Sequence, residues 1–451
     1  MLIFTIFGNE LLEQIQSFGA KVKICDECVN CAAFADDITL IAKCKTDLQS
    51  LFDTAHNYSR KWRFQYNPAK CAVMIFGIDS QPRTNILLGT DTVQISPSEP
   101  HLGNVLATSK HTTTEFIKER IKKCKTVCYA IQSLGSRKVP VNPIVASKLY
   151  KSVCITKLCY GTEVMELNDE CYEAIEQFHA QSAKLFQGLP QHTSNVGSVG
   201  TIGWESIKVH IDMLRIMFMW RILLLPVHNL YKTIMIRRFV DCVIRGTGRG
   251  PVWTMITACH KYNIFDIVYD SLLSGNYMSV GQFKKMVTGI CCSKDIQSWK
   301  ITCQLYTSIR MYNTQHMTCK QRLSWWNIAY EFPECTYKCR MIIRLLLNVF
   351  RLGKEMCHLC CQYKRNSVNH IIFECDFVKD IRTEYWDIVR ESCPRPLYED
   401  MLNMTSDKRC AFILSGFNGP FICEWYELYQ NMMDFVYKVY MTYHNGVKDV
   451  Q

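Results

Sequence analysis

The chain has 451 residues, of which 48% are hydrophobic and 21% charged, and its formal net charge at pH 7 is +11. These proportions exclude an intrinsically disordered chain and leave room for two or three domains, each with its own core. The positive charge is compatible with a polyanionic partner but does not require one, because many soluble proteins carry a similar surplus.

Cysteine is unusually frequent, with 25 residues scattered along the chain. The start MLIFTIFGNE is apolar but short and lacks a basic leader, which argues against a secretory signal. We therefore interpret most cysteines as reduced, buried residues of an intracellular protein, located in cytoplasm and nucleus. The most apolar segment, residues 211–227, carries Asp212, Arg215 and Arg221, so no membrane span is expected.

The first predicted elements are a helix over residues 4–19 and an apolar hairpin. Residues 34–37 read FADD, between the apolar runs CAAFA and ITLIA. Short β-prone runs around two carboxylates predict a hairpin with Asp36 and Asp37 at an exposed tip. The two carboxylates repel each other, and a shared divalent cation makes their proximity favourable. A purely structural Asp-Asp turn is also common, because Asp bonds its own backbone there.

Two longer motifs follow the acidic pair. Residues 46–62 predict a helix, and the run KWRFQYNPAKCAVMIFG after it ends in a strand predicted over residues 71–77. Residues 79–100 hold Gly, Pro, Ser and Asn, and they predict loops and a short β-ribbon. The second motif, HLGNVL, begins at His101.

In this order, the motifs resemble the later palm motifs of reverse transcriptases of non-LTR (LINE-type) retrotransposons. In that family an acidic hairpin is followed by a helix, a Trp, an NPxKC-V-x-FG strand with its lysine, and a YLG-type hairpin that grips the primer end. The matching positions before the last hairpin are Trp62, Asn67, Pro68, Lys70, Cys71, Phe76 and Gly77. The resemblance implies that Asp36, Asp37 and Lys70 are catalytic, with Mg²⁺ at the aspartates. The primer-grip positions are His101, Leu102 and Gly103, the first of which is usually Tyr in the family.

A basic amphipathic helix is predicted from Thr113. Four lysines lie outside its apolar seam, a pattern that suits a nucleic-acid backbone and equally an ordinary solvated helix. The seam is Ile117, Ile121, Cys124, Cys128 and Ile131, and the lysines are Lys118, Lys122, Lys123 and Lys125. Further helices are predicted at residues 143–160, 170–187 and 206–225. The segments QGLPQHTSN and GWESI, which begin at Gln187 and Gly203, resemble segments downstream of the polymerase domain in LINE-type elements.

Residues 226–340 are predicted to be helical and contain no motif that indicates a role. The GTGRG run at residues 246–250 is predicted to be a boundary loop. It is not expected to bind phosphate, because no strand leads into it and the Walker lysine is missing.

Cysteine and histidine cluster in CHLCCQYKRNSVNHIIFEC, residues 357–375. A CxxC turn aims two thiolates at one point, and HxxxxC follows at a distance that can complete a closed, structural Zn²⁺ site. A chance CxxC is expected at this cysteine frequency, but the combined spacing is much rarer. Cys361 or His358 could replace a ligand, although two intervening residues favour Cys360. The predicted ligands are Cys357, Cys360, His370 and Cys375.

The cluster resembles the C-terminal zinc knuckle of LINE-type reverse transcriptases, where CxLC…HxLFxC follows a leucine-rich basic helix. That helix is here RMIIRLLLNVFRLG, with Arg340, Arg344 and Arg351. A knuckle beside basic residues indicates contact with an RNA or DNA backbone. Arginines on an apolar helix can equally extend along the surface to reach solvent.

These features predict an α+β protein with an incomplete reverse-transcriptase palm, a mostly α-helical thumb/connection region and a small C-terminal zinc knuckle. The predicted domains are a partial palm at residues 1–110, a helical thumb/connection region at 111–250, a helical region without an assigned role at 251–340, and the basic helix, knuckle and C-terminal helices at 341–451.

The resemblance implies that fingers and a first catalytic aspartate precede the acidic hairpin in an intact family member, and the residues before it leave no room for them. We therefore expect a fragment of a retrotransposon RNA-directed DNA polymerase that binds RNA and DNA and lacks polymerase activity as it stands. The alternative is a host-adopted zinc-knuckle protein that binds nucleic acid or protein and has a decayed palm. A helical structural protein with an incidental Asp-Asp pair is the third interpretation.

Overall fold

The computed structural model describes residues 2–19, 22–24, 27–77, 85–108, 110–135, 140–312, 322–349, 356–361, 367–416 and 425–448. Within these residues the protein is mostly helical with small sheets, consistent with the predicted α+β class. The chain forms two compact units. The first is Met1–Ile117, Gly161–Asn168 and Leu214–Phe283, and the second is Lys118–Tyr160, Asp169–Met213 and Lys284–Gln451.

The described strands form short antiparallel pairs and one three-stranded sheet. The pairs are Lys23–Ile24 with Glu27–Cys28, Cys31–Phe34 with Asp37–Leu40, and Ser98–His101 with Asn104–Ala107. In the three-stranded sheet, Asp91–Ile95 is central, parallel to Ala72–Val73 and antiparallel to Ile86–Leu88.

The strand predicted over residues 71–77 is shorter in the structure, where it covers only Ala72–Val73. Its last residue, Val73, is opposite Ile95, which is where the central strand ends. The Ser96 N–H still donates to the Val73 carbonyl at 2.9 Å, but Ser98, the next residue that would face this strand, pairs with Ala107 instead. The length of this strand is therefore set by its partner.

Helix Lys45–Lys61 lies between two small cores of the first unit. Its residues Leu51, Ala55 and Tyr58 pack with Leu11 and Ile15 of helix Leu2–Gln16. Its residues Leu48 and Phe52 pack on the other core, formed by Val73, Ile86, Leu88 and Val93. The Gln49 side chain binds both backbone polar groups of Leu87, at 2.8 and 2.9 Å, and so satisfies one edge of the sheet.

Most predicted helices are present to within about one turn at each end. The exception is the basic helix expected over RMIIRLLLNVFRLG, because the observed helix Thr336–Leu346 stops before Asn348, which has a φ of 51°, and residues 350–353 are outside the described residues. The remaining α-helices up to residue 274 are Lys110–Ser133, Pro143–Leu149, Thr156–Cys159, Asp169–Gln187, Asn195–Thr201, Ile207–Leu223, Leu230–Arg245, Pro251–Lys261 and Phe265–Ser274. Those after it are Val280–Gln304, Ser324–Glu331, Thr336–Leu346, Lys379–Ser392, Arg395–Asn403, Ser406–Ser415 and Tyr426–Lys448. Tyr150–Ile155 and His370–Glu374 are π-helical, and Pro68–Lys70, Thr307–Ile309, Pro333–Cys335 and Asp376–Val378 are 3-10 turns.

Helix Lys110–Ser133 has the predicted two faces, because its apolar seam is buried and its four lysines are exposed. Helix Ile207–Leu223 is different, since two of its charged residues, Asp212 and Arg215, are buried. Arg215 donates to the carbonyl oxygens of Thr162 and Met165, at 3.3 and 3.0 Å. None of the described helices combines the length and the apolar character that crossing a membrane requires.

The segments that follow helix Asp169–Gln187 belong to the core of the second unit. The buried Gln187 amide donates to the carbonyls of Ala183 and Ser198 and accepts from Thr201 and the Trp326 indole, at 2.6–3.2 Å. All of its hydrogen-bonding capacity is used in this way. Trp204 of GWESI stacks on Tyr150 with ring centroids 4.5 Å apart. These segments therefore have a packing role.

The arginines of the predicted basic helix bind inside the fold. In helix Thr336–Leu346, Arg340 donates to the Phe186 carbonyl at 3.3 Å, and Arg344 donates to the Gly188 carbonyl at 3.1 Å. They thus satisfy carbonyls at the C-terminus of helix Asp169–Gln187. Burial, with the neighbouring Arg344 charge, lowers the pKa of Arg340 to about 10. The prediction that these two arginines contact nucleic acid is not supported, and Arg351 is outside the described residues.

Candidate functional site

The acidic pair lies at the tip of a tight hairpin, as predicted. Strands Cys31–Phe34 and Asp37–Leu40 pair with Phe34 opposite Asp37, so Ala35 and Asp36 form the turn. Ala35 has a φ of 53°, which a turn of this kind requires. Asp36 and Asp37 are both exposed, and the hairpin's inner side chains Cys31, Ile38 and Leu40 pack on the core beneath it.

The HLG motif forms a second hairpin with a two-residue turn. Leu102 and Gly103 have φ values of 48° and 76°, the pattern of the turn type whose twist matches paired strands. His101 precedes the turn, and its Nε2 atom is 3.5 Å from the Thr39 hydroxyl. Thr39 is two residues beyond Asp37 on the same strand. The structure therefore brings His101 to the acidic hairpin.

Lys70 is on an exposed turn, Pro68–Lys70. The Asn67 side chain begins this turn by accepting the Ala69 N–H at 3.0 Å. Asn67 thus provides an acceptor for the Ala69 N–H, which has none within the turn, and Pro68 has no N–H group that would need an acceptor. These two properties explain the Asn-Pro pair before the lysine. The catalytic role of Lys70 stays a prediction.

The four residues predicted to bind zinc converge. Their ligand atoms all lie within 4.8 Å of one another. The thiol sulfurs of Cys357 and Cys375 are 3.9 Å apart, and the Cys360 sulfur is 3.4 Å from His370 Nε2. Cys357, His370 and Cys375 are buried and Cys360 is half-buried. Three sulfurs and one imidazole at these separations match the donor set of a structural Zn²⁺ site.

Local backbone geometry explains how the ligands meet. The Cys361 N–H donates to the Cys357 carbonyl at 2.9 Å, which closes the turn that carries the first two thiols. His370 begins the π-helical turn His370–Glu374, and Cys375 follows its end. The Cys375 N–H donates to the His370 carbonyl at 2.7 Å, so these two ligands are fixed to each other.

Side chains other than the four ligands surround the cluster. His370 Nε2, which is 3.4 Å from the Cys360 sulfur, is the nitrogen directed at the metal position. The Glu374 carboxylate faces the other ring nitrogen, Nδ1, at 3.7 Å, which is longer than a hydrogen bond. Asn369 and Ser406 both donate to Glu374, at 2.9 and 3.2 Å, and Ser406 also donates to the Asn369 side chain at 2.9 Å. Arg382 donates to the Cys375 carbonyl at 3.2 Å.

The sequence signals for these supporting residues differ. Glu374 is four residues after His370, one helical turn away, so the sequence could have indicated it. Ser406 is 31 positions beyond Cys375, and only the fold brings it to the site.

The alternative ligands are not in the cluster. Cys361 and His358 are exposed, and the group that could hold a metal contains neither. The upstream cysteines Cys335 and Cys339 have other neighbours, since the Cys335 sulfur is 3.9 Å from the Tyr426 hydroxyl and the Cys339 sulfur is 3.6 Å from that of Met433. Of the three candidates, Cys360 is the one that the structure places with Cys357, His370 and Cys375.

Burial, together with the nearby Cys357 thiol, raises the pKa of Cys375 to about 12. In the metal-free cluster this thiol is therefore protonated at neutral pH. A bound Zn²⁺ would replace that proton, because the thiolate is the form that coordinates metal.

The described residues contain one group of three or more His, Cys, Asp or Glu side chains that could hold a metal, and it is this Cys3His cluster. Asp36 and Asp37 remain a pair within that part of the chain. The described cysteines are free thiols, and most of them are buried, as the sequence predicts.

Comparison with known proteins bears on the segment that contains both hairpins. A scan against protein-family models matches residues 1–133 to the family described as Reverse transcriptase (RNA-dependent DNA polymerase). A search of the curated proteins finds no match. The match covers the acidic pair, the Lys70 turn and the HLG hairpin, the same features that carry the resemblance in the sequence. Residues 1–133 of this chain are therefore similar to a reverse transcriptase domain.

Proposed function

We propose that the chain is a nucleic-acid-binding part of a reverse transcriptase of the non-LTR retrotransposon type, without polymerase activity by itself. The observation that carries this proposal is the exposed Asp36–Asp37 tip within the segment that matches the family. An exposed pair of adjacent carboxylates is suited to binding Mg²⁺ together with nucleotide phosphates.

The number of carboxylates supports the proposed lack of turnover. Two-metal phosphoryl transfer needs ligands for two ions roughly 3.5–4 Å apart. Within the described part of the chain, no third acidic, His or Cys side chain completes a metal group with Asp36 and Asp37. The pair can contribute to binding one Mg²⁺, which would supply charge neutralisation for phosphates when bound.

RNA and DNA are the proposed partners, and the exposed lysines of helix Lys110–Ser133 are one candidate surface for them. Lys122 and Lys125 are exposed there, whereas Lys118 pairs with Glu170 and Lys123 with Glu119, each at 2.6 Å. The Cys3His cluster is proposed to hold Zn²⁺ in a structural role. We infer a location in cytoplasm and nucleus, where free thiols stay reduced.

Primer extension tests the proposal. The purified chain is given an annealed RNA template, a DNA primer and deoxynucleotides with Mg²⁺ or Mn²⁺, and we expect no extension. Fluorescence anisotropy with labelled RNA and DNA should show binding that weakens as salt rises. Robust extension that Asp37→Asn abolishes would contradict the absence of turnover, and no binding to either nucleic acid would contradict the proposed partners.

A second function is favoured by the contrast between the two sites. The Cys3His cluster has its supporting network, whereas Asp36 and Asp37 stand as a pair. This pattern fits a host-adopted zinc-knuckle binding protein with a decayed palm. RNA binding that the Asp36→Asn/Asp37→Asn double variant retains and Cys375→Ser loses would support this function over the first.

A further inference from the structure

Helix Lys45–Lys61 ends in a left-handed turn of the kind that usually contains glycine, although the residue at that position is not glycine. Trp62 is the C-cap, the Arg63 N–H donates to the Arg60 carbonyl at 3.3 Å, and the Phe64 N–H donates to the Ser59 carbonyl at 3.0 Å. This pair of bonds defines the Schellman motif, in which the residue after the C-cap is left-handed and is usually Gly. Arg63 occupies that position with a φ of 56°.

A left-handed conformation is unfavourable for a residue with a Cβ atom, so Gly would suit this turn better than Arg. Strain of this kind often marks a position where the side chain has a function. Arg63 is exposed, and its neighbours Arg60 and Lys61 are exposed as well. Arg60, Lys61 and Arg63 therefore place three cations close together on the surface at this turn.

Two aromatic rings flank Arg63. Trp62 is 43% exposed and Phe64 is 40% exposed. The rings beneath them hold them in place, since Tyr58 lies 6.3 Å from Trp62 and 6.1 Å from Phe64, and Tyr66 lies 5.1 Å from Phe64 between centroids. Each of the two exposed rings therefore offers a surface that is already ordered.

One acidic residue balances part of this charge. Glu10 pairs with Lys61 and accepts the Trp62 indole N–H at 3.3 Å, which orients the indole ring. The Lys61 nitrogen is 5.5 Å from the centre of that ring. Arg60 and Arg63 leave the surface positively charged beside the two rings.

We propose that Arg60–Phe64 is a binding surface for single-stranded nucleic acid, in which bases stack on Trp62 and Phe64 and phosphates contact Arg60 and Arg63. Ordered aromatic rings interleaved with cations fit unpaired bases on a phosphate backbone, whereas a duplex keeps its bases stacked inside. The inference deepens the proposed function, on which it rests, by naming the form of nucleic acid and a place where it binds.

The test uses the full chain and fluorescence anisotropy with a 12-nucleotide uridine RNA, the matching thymidine DNA and a 12-base-pair duplex. Arg63→Gly is the decisive variant, because it removes the guanidinium and keeps the left-handed turn. We expect its thermal midpoint to be equal to or above that of the parent chain, its single-strand binding to be weaker, and its salt slope to be lower by about 0.7, the value for one phosphate contact.

Phe64→Leu should weaken single-strand binding about 5-fold or more, the lower range for loss of one stacked base. Tyr330→Leu is the matched aromatic control, since Tyr330 is 47% exposed and lies near Glu331 and Glu334. Arg390→Ala is the charge control, because Arg390 is exposed and pairs with Asp387. Neither control should change binding.

The outcomes separate this inference from the proposed function. If the parent chain binds RNA or DNA and Arg63→Gly and Phe64→Leu bind equally well, the surface is overturned and the proposed function remains. If both variants lose duplex and single-strand binding equally, the single-strand assignment is overturned. If the parent chain binds no nucleic acid, both proposals fail. RNA and DNA strands that bind alike support stacking and phosphate contact alone, whereas an RNA preference supports an added contact with the 2′-hydroxyl.

Discussion

The acidic hairpin and the Cys3His cluster are both candidate metal sites, and they are built in opposite ways. Asp36 and Asp37 are exposed at a two-residue turn, where solvent stabilises their charges. The cluster buries three of its four ligands and surrounds them with hydrogen-bonded side chains. A buried ligand needs a partner within the fold, because the interior cannot solvate it.

The difference has a consequence for how each region depends on its metal. An exposed carboxylate pair is tolerated without an ion, so the hairpin folds on its apolar inner face alone. The buried cluster is stabilised by the metal itself, because coordination and folding are coupled in a closed site. Three predictions examine this contrast, and they are ordered by the size of the expected effect.

Cys375→Ser should have the largest effect. We expect zinc content well below one ion per chain and loss of local folding free energy on the order of 10 kcal/mol around residues 356–361 and 367–378, because a closed site loses a thiolate ligand. Zinc is measured by metal analysis of pure protein, and local unfolding by hydrogen exchange. A strong chelator should produce the same local change and leave helix Lys45–Lys61 protected.

Cys335→Ser is the matched control, since Cys335 is buried but is outside the metal group. Its zinc content should equal that of the parent chain. Equal zinc content in the Cys375→Ser protein, or no zinc in the parent protein, would show that the cluster is only a group of buried thiols.

Glu374→Gln should have an intermediate effect. The carboxylate faces His370 Nδ1 at 3.7 Å, so its loss should weaken zinc binding about 10-fold without removing a ligand. Competition with a chromogenic chelator measures this affinity. Glu384→Gln is the control, because Glu384 is exposed and pairs with Lys438 at 3.0 Å. Unchanged affinity in Glu374→Gln would mean that Glu374 does not orient the imidazole.

The Asp36→Asn/Asp37→Asn double variant should have the smallest effect. We expect the free energy of unfolding to rise by no more than about 0.5 kcal/mol, because the change removes repulsion between two exposed charges. Zinc content should be unchanged. Urea denaturation with and without Mg²⁺ measures the free energy of unfolding, and metal analysis measures the zinc content. A loss of several kcal/mol would show that the pair has a structural role that its exposure does not reveal.

Local patterns predicted the elements of this protein well. Helix periodicity located the long helices, and the alternation around FADD located the acidic hairpin. The spacing of CxxC and HxxxxC identified all four members of the cluster, because ligand geometry leaves a recognisable interval in sequence. The resemblance to reverse transcriptases agrees with the family match for residues 1–133, whereas the non-LTR type, the domain limits and the roles of Lys70 and His101 stay predictions.

Other features could not be predicted because they depend on distant partners. The strand after Cys71 is short since its partner ends at Ile95, and Ser406 supports the cluster from another helix. The charges of Arg340 and Arg344 suggested nucleic acid, but these side chains satisfy carbonyls at the end of helix Asp169–Gln187.

The sequence by itself determined what depends on neighbours along the chain: the periodic helices, the turn that carries two aspartates, and the interval between metal ligands. Tertiary structure alone decided which polar groups are used inside the fold and which remain for a partner. The reason is that a charged side chain has the same sequence signature in either place. Its burial and its hydrogen-bond partners depend on distant residues: Phe186 and Gly188 lie more than 150 positions before Arg340 and Arg344, the arginines that they bind.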